Sequence, residues 1–224
     1  MRPVAPRPVI VALTGGCGMV LLRVALSGRP GSARFHVLSL GTAGVWTAGA
    51  VASGYPLPRG GLRRSRWLGP TGIGAAAFAT FYAAVPLARR IPALNRAISG
   101  VLRHADAGPS PLIVLTTCAN AVGEELFFRG ALYAALGPRY ALAGSTAAYT
   151  AATAATRNPA LTLAGVAMGA LFALQRRTSG DVLTSVLTHL TWSVLMVRFL
   201  PPLFRRTPGP ATPLSGAAQT VRVR

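Results

Sequence analysis

The chain contains seven apolar runs that are each about as long as a membrane-spanning helix. Crossing the core of a bilayer takes about 20 mostly apolar residues in helical form. Six of the runs carry no formal charge or a single Arg near one end, and the other contains three charged residues. We therefore predict an all-α fold, a polytopic transmembrane helical bundle of about seven spans, with six to eight tolerated. The runs are residues 8–27, 35–58, 67–88, 111–136, 140–156, 159–175 and 182–200.

The rest of the chain divides into an amphipathic segment and a tail. Residues 91–105 place two Arg and His104 among apolar residues, which is typical of an interfacial or re-entrant helix. Residues 201–224 contain five Pro and are predicted to be a disordered extension. Residues 1–200 are interpreted as a single transmembrane domain, because no repeat or second domain is visible.

Two local signals mark helix boundaries. Gly137-Pro138-Arg139 separates the fourth and fifth runs, and Gly and Pro are the residues that most often interrupt a helix. Asp181 stands directly before the last run, where an Asp side chain commonly caps the first turn. We predict a break at the first position and a capped helix at the second.

The composition agrees with a membrane protein and excludes two other classes. Charged residues make up 12% of the chain and hydrophobic residues 51%, with a mean hydropathy of +0.46. A soluble domain carries about 25% charged residues, so this chain lacks the side chains that would cover a water-exposed surface. The same values exclude a disordered chain, which needs low hydrophobicity and high charge.

The charge balance is strongly basic, with 23 Arg, no Lys, four acids and a net charge of +19. Many of the Arg residues stand in pairs between apolar runs, as at Arg89-Arg90 and Arg176-Arg177, and they form no continuous stripe. Membrane lipids with anionic head groups are therefore the expected partners, and nucleic acid is not expected. The Ala- and Arg-rich composition indicates a bacterial genome, which predicts a multi-pass protein of the bacterial inner membrane.

The fourth run contains the only adjacent acids of the chain, Glu124 and Glu125. A charge at bilayer depth is costly, so it usually marks a pathway, an ion pair or a site. Glu125 and Arg129 are four residues apart in the order that favours a helical ion pair. Glu124 points about 100° away around the helix, which makes it a candidate general base. The alternative is a structural pair, with Glu124 on a loop or near the head groups.

A second polar pair lies in the last run, where His189 and Ser193 are four residues apart and share a helix face. The alternative is a structural role, in which the buried His has its hydrogen bonds satisfied inside the bundle and the Ser hydroxyl bonds to the backbone of its own helix. The carboxylates elsewhere in the bundle favour a functional role, because isolated polar groups in lipid are expensive. We expect the spans that carry Glu124 and His189 to converge on one polar cavity, together with the span of Thr153, a residue that the family resemblance described next singles out.

These two constellations resemble motifs of the CPBP intramembrane proteases, which include the CAAX prenyl endopeptidases and Abi-like bacteriocin-processing proteins. Glu-Glu-Leu-Phe-Phe-Arg-Gly at 124–130 is similar to the first motif, Glu-Glu-x-x-x-Arg, and His189-Leu-Thr-Trp-Ser193 is similar to the closing motif, His-x-x-x-Asn/Asp. The resemblance covers about residues 110–200. Two positions depart from the family. Its aromatic-x-x-x-His motif is matched by Tyr149 with Thr153 in the place of His, and Ser193 replaces Asn or Asp.

The resemblance implies an intramembrane endopeptidase in which Glu124 activates a water that attacks a peptide bond within or near the membrane. It implies that Glu125 and Arg129 support Glu124, and that His189 donates on the oxyanion side together with residue 193. A peptide or a prenylated protein would be the substrate. Thr153 does not titrate near neutral pH, and loss of an acid–base partner commonly costs about 10²- to 10⁴-fold in rate.

The residues also allow two other functions, and they bear on whether the protein holds a zinc ion. The chain could be an impaired member that acts as a membrane binding or scaffold protein, or a small proton-coupled transporter. The transporter is disfavoured because no other span carries an acid and no inverted repeat is visible. Earlier labels of the family name a metalloprotease, but zinc normally takes three protein ligands and this chain offers one His and two Glu. No cofactor is therefore expected.

Overall fold

The computed structural model describes residues 7–58, 67–106 and 111–204, and within these ranges the ordered elements are all helices. The all-α class predicted from the apolar runs is confirmed. The helices, in chain order, are α1 Pro8–Leu26, α2 Ala33–Ala52, α3 Leu68–Ala83, α4 Val85–Arg90, α5 Pro92–Leu102, α6 Pro111–Glu124, a π-helical segment Glu125–Leu132, α7 Tyr133–Ala154, α8 Pro159–Ser179, α9 Val182–Phe199 and α10 Pro201–Phe204.

Six stretches of the described residues are long and apolar enough to cross a membrane, and one of them is 44 residues long, from Pro111 to Ala154. Gly137 divides this stretch, with φ 67° and ψ 169°, a backbone conformation that Gly adopts without a Cβ penalty. Pro138 follows directly. In an unbroken helix Glu124 and Tyr149 would be about 37 Å apart, yet their side chains are hydrogen-bonded. The chain therefore reverses at Gly137, and the stretch forms two spans.

The predicted segments differ from the helices at three places, apart from shifts at helix ends such as that of α2, which ends at Ala52 and not at residue 58. α3 ends at Ala83 and the short α4 follows, because Pro86 interrupts the hydrogen bonding of what was predicted as one run. The predicted disordered tail starts one turn too early, since Pro201–Phe204 forms α10 and its Leu203 packs near Leu200. The remaining tail, 205–224, lies outside the described residues. The third difference is the π-helical segment, which no sequence pattern predicted.

The amphipathic segment forms α5, as predicted. Arg96 is exposed on this helix, whereas Leu102 is buried against Leu200 and Phe204 at one end of the bundle. The predicted cap of α9 is also present, because Asp181 Oδ1 accepts a hydrogen bond of 3.0 Å from the Leu183 amide. A large part of the outer surface is apolar, with Leu13, Val37 and Leu163 among its exposed side chains. A surface of this kind faces lipid in a membrane protein.

The spans approach one another closely where one of them carries a Gly. A Cβ on Gly123 would lie 2.8 Å from the Ala43 carbonyl oxygen of α2, and a Cβ on Gly74 would lie 2.6 Å from the Thr188 carbonyl oxygen of α9. Small residues allow this approach, which is the usual way that transmembrane helices gain packing contacts. These two Gly residues set the position of α6 against α2 and of α9 against α3, and α6 and α9 carry the acids and the His.

Candidate active site

The acidic motif lies where the fourth span changes from α-helix to π-helix. Glu124 is the last residue of α6, and residues Glu125–Leu132 follow the wider π-helical path. π-helical turns are rare and occur frequently at functional sites. Tyr55 packs closely against this segment, since a Cβ on Gly130 would lie 2.7 Å from Cε1 of the Tyr55 ring. The π-helical turn changes the directions of Glu125 and Arg129 relative to an α-helical path.

Glu125 and Arg129 form the ion pair that their spacing predicts. Arg129 Nη1 lies 3.3 Å from Glu125 Oε1, and both side chains are fully buried. Arg129 Nη2 donates to the Gly169 carbonyl of α8 at 3.0 Å. The guanidinium also lies 4.4 Å from the centre of the Tyr149 ring and 5.2 Å from that of Phe172, a favourable arrangement of a cation with aromatic faces. The pair therefore sits inside the protein and not at a lipid surface.

His189 connects this ion pair to the other acid. Its Nδ1 lies 3.1 Å from Glu125 Oε1, and because an ionised carboxylate only accepts, Nδ1 carries the proton. Nε2, on the opposite side of the ring, faces Glu124 Oε2 at 3.9 Å. The ring stacks on Phe172 with centres 4.6 Å apart. Glu125 thus fixes the orientation of the imidazole and directs Nε2 toward Glu124.

Glu124 has a hydrogen-bond donor that the helix spacing did not predict. The Tyr149 hydroxyl, on α7, donates to Glu124 Oε2 at 2.8 Å. The Glu124 side chain is 12% exposed, whereas Glu125 is completely buried. The alternative that Glu124 lies on a loop is wrong, since it ends a helix at the middle of a span. The Glu124 carboxylate therefore faces the cavity, accepts a hydrogen bond from Tyr149 of α7 and lies opposite His189 of α9.

Thr153 and Ser193, the two positions that depart from the family motifs, both line the same cavity as Glu124. The Thr153 hydroxyl bonds to its own helix, with the Thr150 carbonyl 2.9 Å away. Its side chain packs directly over Gly165 of α8, where a Cβ would collide with Oγ1. Ser193 is buried one turn beyond His189. Thr153 thus lies at the cavity wall but directs its hydroxyl to the backbone.

The cavity has a volume of about 250 Å³ and is enclosed mostly by apolar side chains. The expected convergence of the three spans is present, and the ionisable side chains of the wall are Glu124, Tyr149 and His189. Glu125 and Arg129 lie behind these side chains and do not line the cavity. The wall includes residues of six helices, among them Leu22, Leu26, Phe35, Leu161, Met168 and Trp192.

Sequence reasoning missed several polar residues of the wall, of which Asn120 is closest to Glu124 along the chain. It lies four residues before Glu124 on α6 and lines the cavity on the same helix face. Its Nδ2 donates to the Ser39 carbonyl of α2 at 3.1 Å and to the Thr116 carbonyl at 2.8 Å. The four-residue spacing from Glu124 was the available signal, because residues four apart in a helix share a face.

The donor set does not fit a zinc ion. A zinc site takes three or four protein ligands, and no three His, Cys, Asp or Glu side chains of the described residues are grouped to hold a metal. Glu125 Oε1 is already used by Arg129 and His189. Glu124 and Nε2 of His189 remain as two donors. No step of a reaction is therefore assigned to a metal ion.

Comparison with known proteins agrees with the motifs. Residues 106–195 match the family model described as Rce1-like, type II CAAX prenyl endopeptidase. This match confirms the resemblance to the CPBP and CAAX protease family, over a segment that contains the Glu, Arg, Tyr, Thr, His and Ser residues described above. No curated protein and no solved structure matches the chain.

Proposed function

Because residues 106–195 are similar to the type II CAAX prenyl endopeptidases, we propose that this multi-pass membrane protein is an intramembrane endopeptidase. Its substrate would be a peptide or a prenylated protein cleaved within or near the membrane, and its place the bacterial inner membrane. One observation carries the proposal: Glu124 Oε2 and His189 Nε2 face each other at 3.9 Å on the wall of a cavity inside the bundle. A carboxylate so placed can take a proton from a water molecule, and the imidazole beside it can donate to the oxyanion that develops.

In the proposed reaction Glu124 is the general base. It takes a proton from a water molecule while the water oxygen bonds to the carbonyl carbon of the substrate. The carbonyl oxygen becomes an oxyanion, and Glu124 then gives the proton to the amide nitrogen as the C–N bond breaks. The products are a carboxylic acid and an amine. The bond from the Tyr149 hydroxyl supports this role, because it holds the carboxylate in one orientation.

His189 is the proposed donor to the oxyanion, with Ser193 as a second one. Nδ1–H donates to Glu125, so Nε2 donates only when the ring is protonated. Glu124, Glu125, Arg129 and a protonated His189 carry charges that sum to zero, which avoids an uncompensated charge inside the bundle. Donors aimed at the developing charge commonly contribute the largest part of such a rate enhancement.

The proposal is tested by cleavage of a reporter membrane peptide in proteoliposomes. We expect Glu124→Gln and His189→Gln to lower the rate by at least about 10²-fold, the lower end for loss of an acid–base group. His36→Gln is the matched control, since His36 is buried on α2 and does not line the cavity. Cleavage that persists in Glu124→Gln would show that Glu124 is not the base.

A second function, a catalytically impaired member that binds membrane peptides, is favoured by one observation. The Thr153 hydroxyl is bonded to the backbone of its own helix and offers no titratable group to the cavity. This function predicts that the wild-type protein retains a reporter peptide uncleaved. It also predicts that Glu124→Gln changes peptide affinity without changing any rate of hydrolysis.

A further inference from the structure

A second cavity, of about 240 Å³, lies at the end of the bundle where α1 and α5 end and α8 begins. Its wall includes Ser27, Arg103, His104 and Asn158, and it is more polar than the cavity at Glu124. The two cavities share Leu26 and Leu161 in their walls, so they are adjacent. No part of the proposed reaction uses this second space.

His104 is the most unusual residue of this wall. It is 9% exposed, and within residues 7–58, 67–106 and 111–204 neither ring nitrogen has a hydrogen-bond partner in good geometry, although backbone groups of Gly28, Gly100 and Val101 lie close to the ring. Its ring lies against that of Phe35, with centres 4.6 Å apart. A buried polar group without a partner costs free energy and calls for an explanation, such as a ligand that is bound there. Every form of the imidazole has at least one N–H to donate.

The charges of the wall favour an anion. Arg103 and His104 are the only ionisable residues that line this cavity in the described part of the chain, and no Asp or Glu lines it. α8 begins at the cavity with Pro159, and the N-terminal end of a helix adds a partial positive charge. Guanidinium and imidazole N–H groups are well suited to phosphate oxygens.

The position in the bundle identifies the kind of anion. The cavity lies at the ends of α1 and α8, which are candidate membrane spans, and beside the amphipathic helix α5. This is the depth of the lipid head groups in a bilayer. Basic pockets between transmembrane helices bind lipid phosphates. The neighbouring apolar cavity behind Leu26 and Leu161 offers space to part of an acyl chain, which a free phosphate ion lacks.

We propose that this cavity binds the phosphate of an anionic phospholipid, with Arg103 and His104 as the donors. Lipid binding is measured without hydrolysis, so it can be tested whether or not the protein is a protease. The probe is phosphatidylglycerol, added to the purified full chain in a neutral detergent. Its affinity is measured by thermophoresis beside that of phosphatidylcholine and inorganic phosphate.

Exchange of Arg103→Gln together with His104→Gln is expected to weaken phosphatidylglycerol binding by about tenfold or more, about 1.4 kcal/mol. Arg96→Gln is the matched control, because Arg96 is an exposed Arg on the same helix that does not line the cavity. Its affinity should stay within about twofold of the wild-type value. If the double variant does not fold, Arg103→Gln alone replaces it, since the Arg103 side chain is exposed.

Three results would overturn the proposal. The first is equal affinity for phosphatidylglycerol in the wild type and the Arg103 variants, and the second is an equal loss in Arg96→Gln, which would indicate only the general attraction of a basic chain. The third is that inorganic phosphate, or a peptide with a free C-terminal carboxylate, binds as tightly as the lipid and depends on Arg103 in the same way. That result would assign the cavity to a different anion.

Discussion

The Tyr149 hydroxyl and the Glu124 carboxylate are hydrogen-bonded at 2.8 Å although 25 residues separate them along the chain. The bond joins α7 to the end of α6, across the reversal at Gly137. The bond gives Glu124, the candidate base, a hydrogen-bond donor from the aromatic residue of the aromatic-x-x-x-His motif. In this chain the His of that motif is replaced by Thr153.

Tyr149→Phe removes the donor to Glu124 and keeps the ring that faces Arg129. Because hydrogen bonds to charged groups contribute about 1.5–3 kcal/mol, we expect the cleavage rate to fall by about 10- to 100-fold. Tyr140→Phe, at a Tyr that is 58% exposed, is the control. An unchanged rate for Tyr149→Phe would show that the bond does not assist Glu124.

Glu125→Gln is expected to destabilise the protein more than Glu124→Gln. The first substitution leaves the fully buried Arg129 without its counter-charge, and breaking a buried pair costs about 3–5 kcal/mol. The second removes a charge that is partly exposed to the cavity. Thermal melts of both variants in detergent measure the order. The reverse order would mean that the supporting and the catalytic Glu have been exchanged.

Thr153→His would place an imidazole on the wall of the cavity that holds Glu124. The ring could share the proton that Glu124 removes, so we expect cleavage of a reporter peptide to rise by about tenfold, or about 1.4 kcal/mol of barrier. Thr153→Val serves as the control for a change of size alone. Adding Glu124→Gln should abolish the gain. A fast wild type that Thr153→His slows would show that another group already provides the function.

Gly74→Ala and Gly72→Ala, two residues apart on α3, should have different effects on stability. A Cβ on Gly74 would meet the Thr188 carbonyl oxygen at 2.6 Å, next to His189, whereas a Cβ on Gly72 has no atom within 4 Å. Overpacking costs about 1–3 kcal/mol, and Ala in open space is favoured in a helix by up to about 1 kcal/mol. Melting temperatures in detergent should fall for Gly74→Ala and stay equal or rise for Gly72→Ala. Equal losses would mean that α3 does not pack on α9 at Gly74.

Stability should depend on pH through His104. Burial lowers the pKa of His104 below its ordinary value of 6.5. Backbone groups at Gly28, Val101 and Gly100 oppose this in part, and the charge of Arg103 adds the smallest effect, a further lowering of the pKa. The unfolded chain then takes up the proton first, so stability is complete above about pH 6.5 and falls as pH decreases through the lowered pKa. Melts from pH 8 to about pH 5 without anionic lipid measure this slope, and His104→Gln should flatten it. An identical slope in the variant would exclude His104 as the cause.

The sequence by itself was sufficient for several features that depend on residues near one another along one helix. The apolar runs predicted the spans, because a bilayer imposes a length on any helix that crosses it. The four-residue spacing predicted the Glu125–Arg129 pair, and Asp181 predicted the cap of α9, since both interactions lie within about one turn. Gly137-Pro138 predicted the break, because these two residues interrupt a helix in almost any surroundings.

The tertiary structure alone decided which side chains meet across helices. The contact of His189 with Glu125 joins residues 64 apart, and the bond from Tyr149 to Glu124 joins residues 25 apart. Such contacts depend on the rotation and depth of each span, which are set where small residues such as Gly74 and Gly123 let two backbones approach. The π-helical turn at Glu125 and the unpartnered ring of His104 have the same origin. Both depend on packing between helices, and the spacing of residues along one helix does not predict such packing.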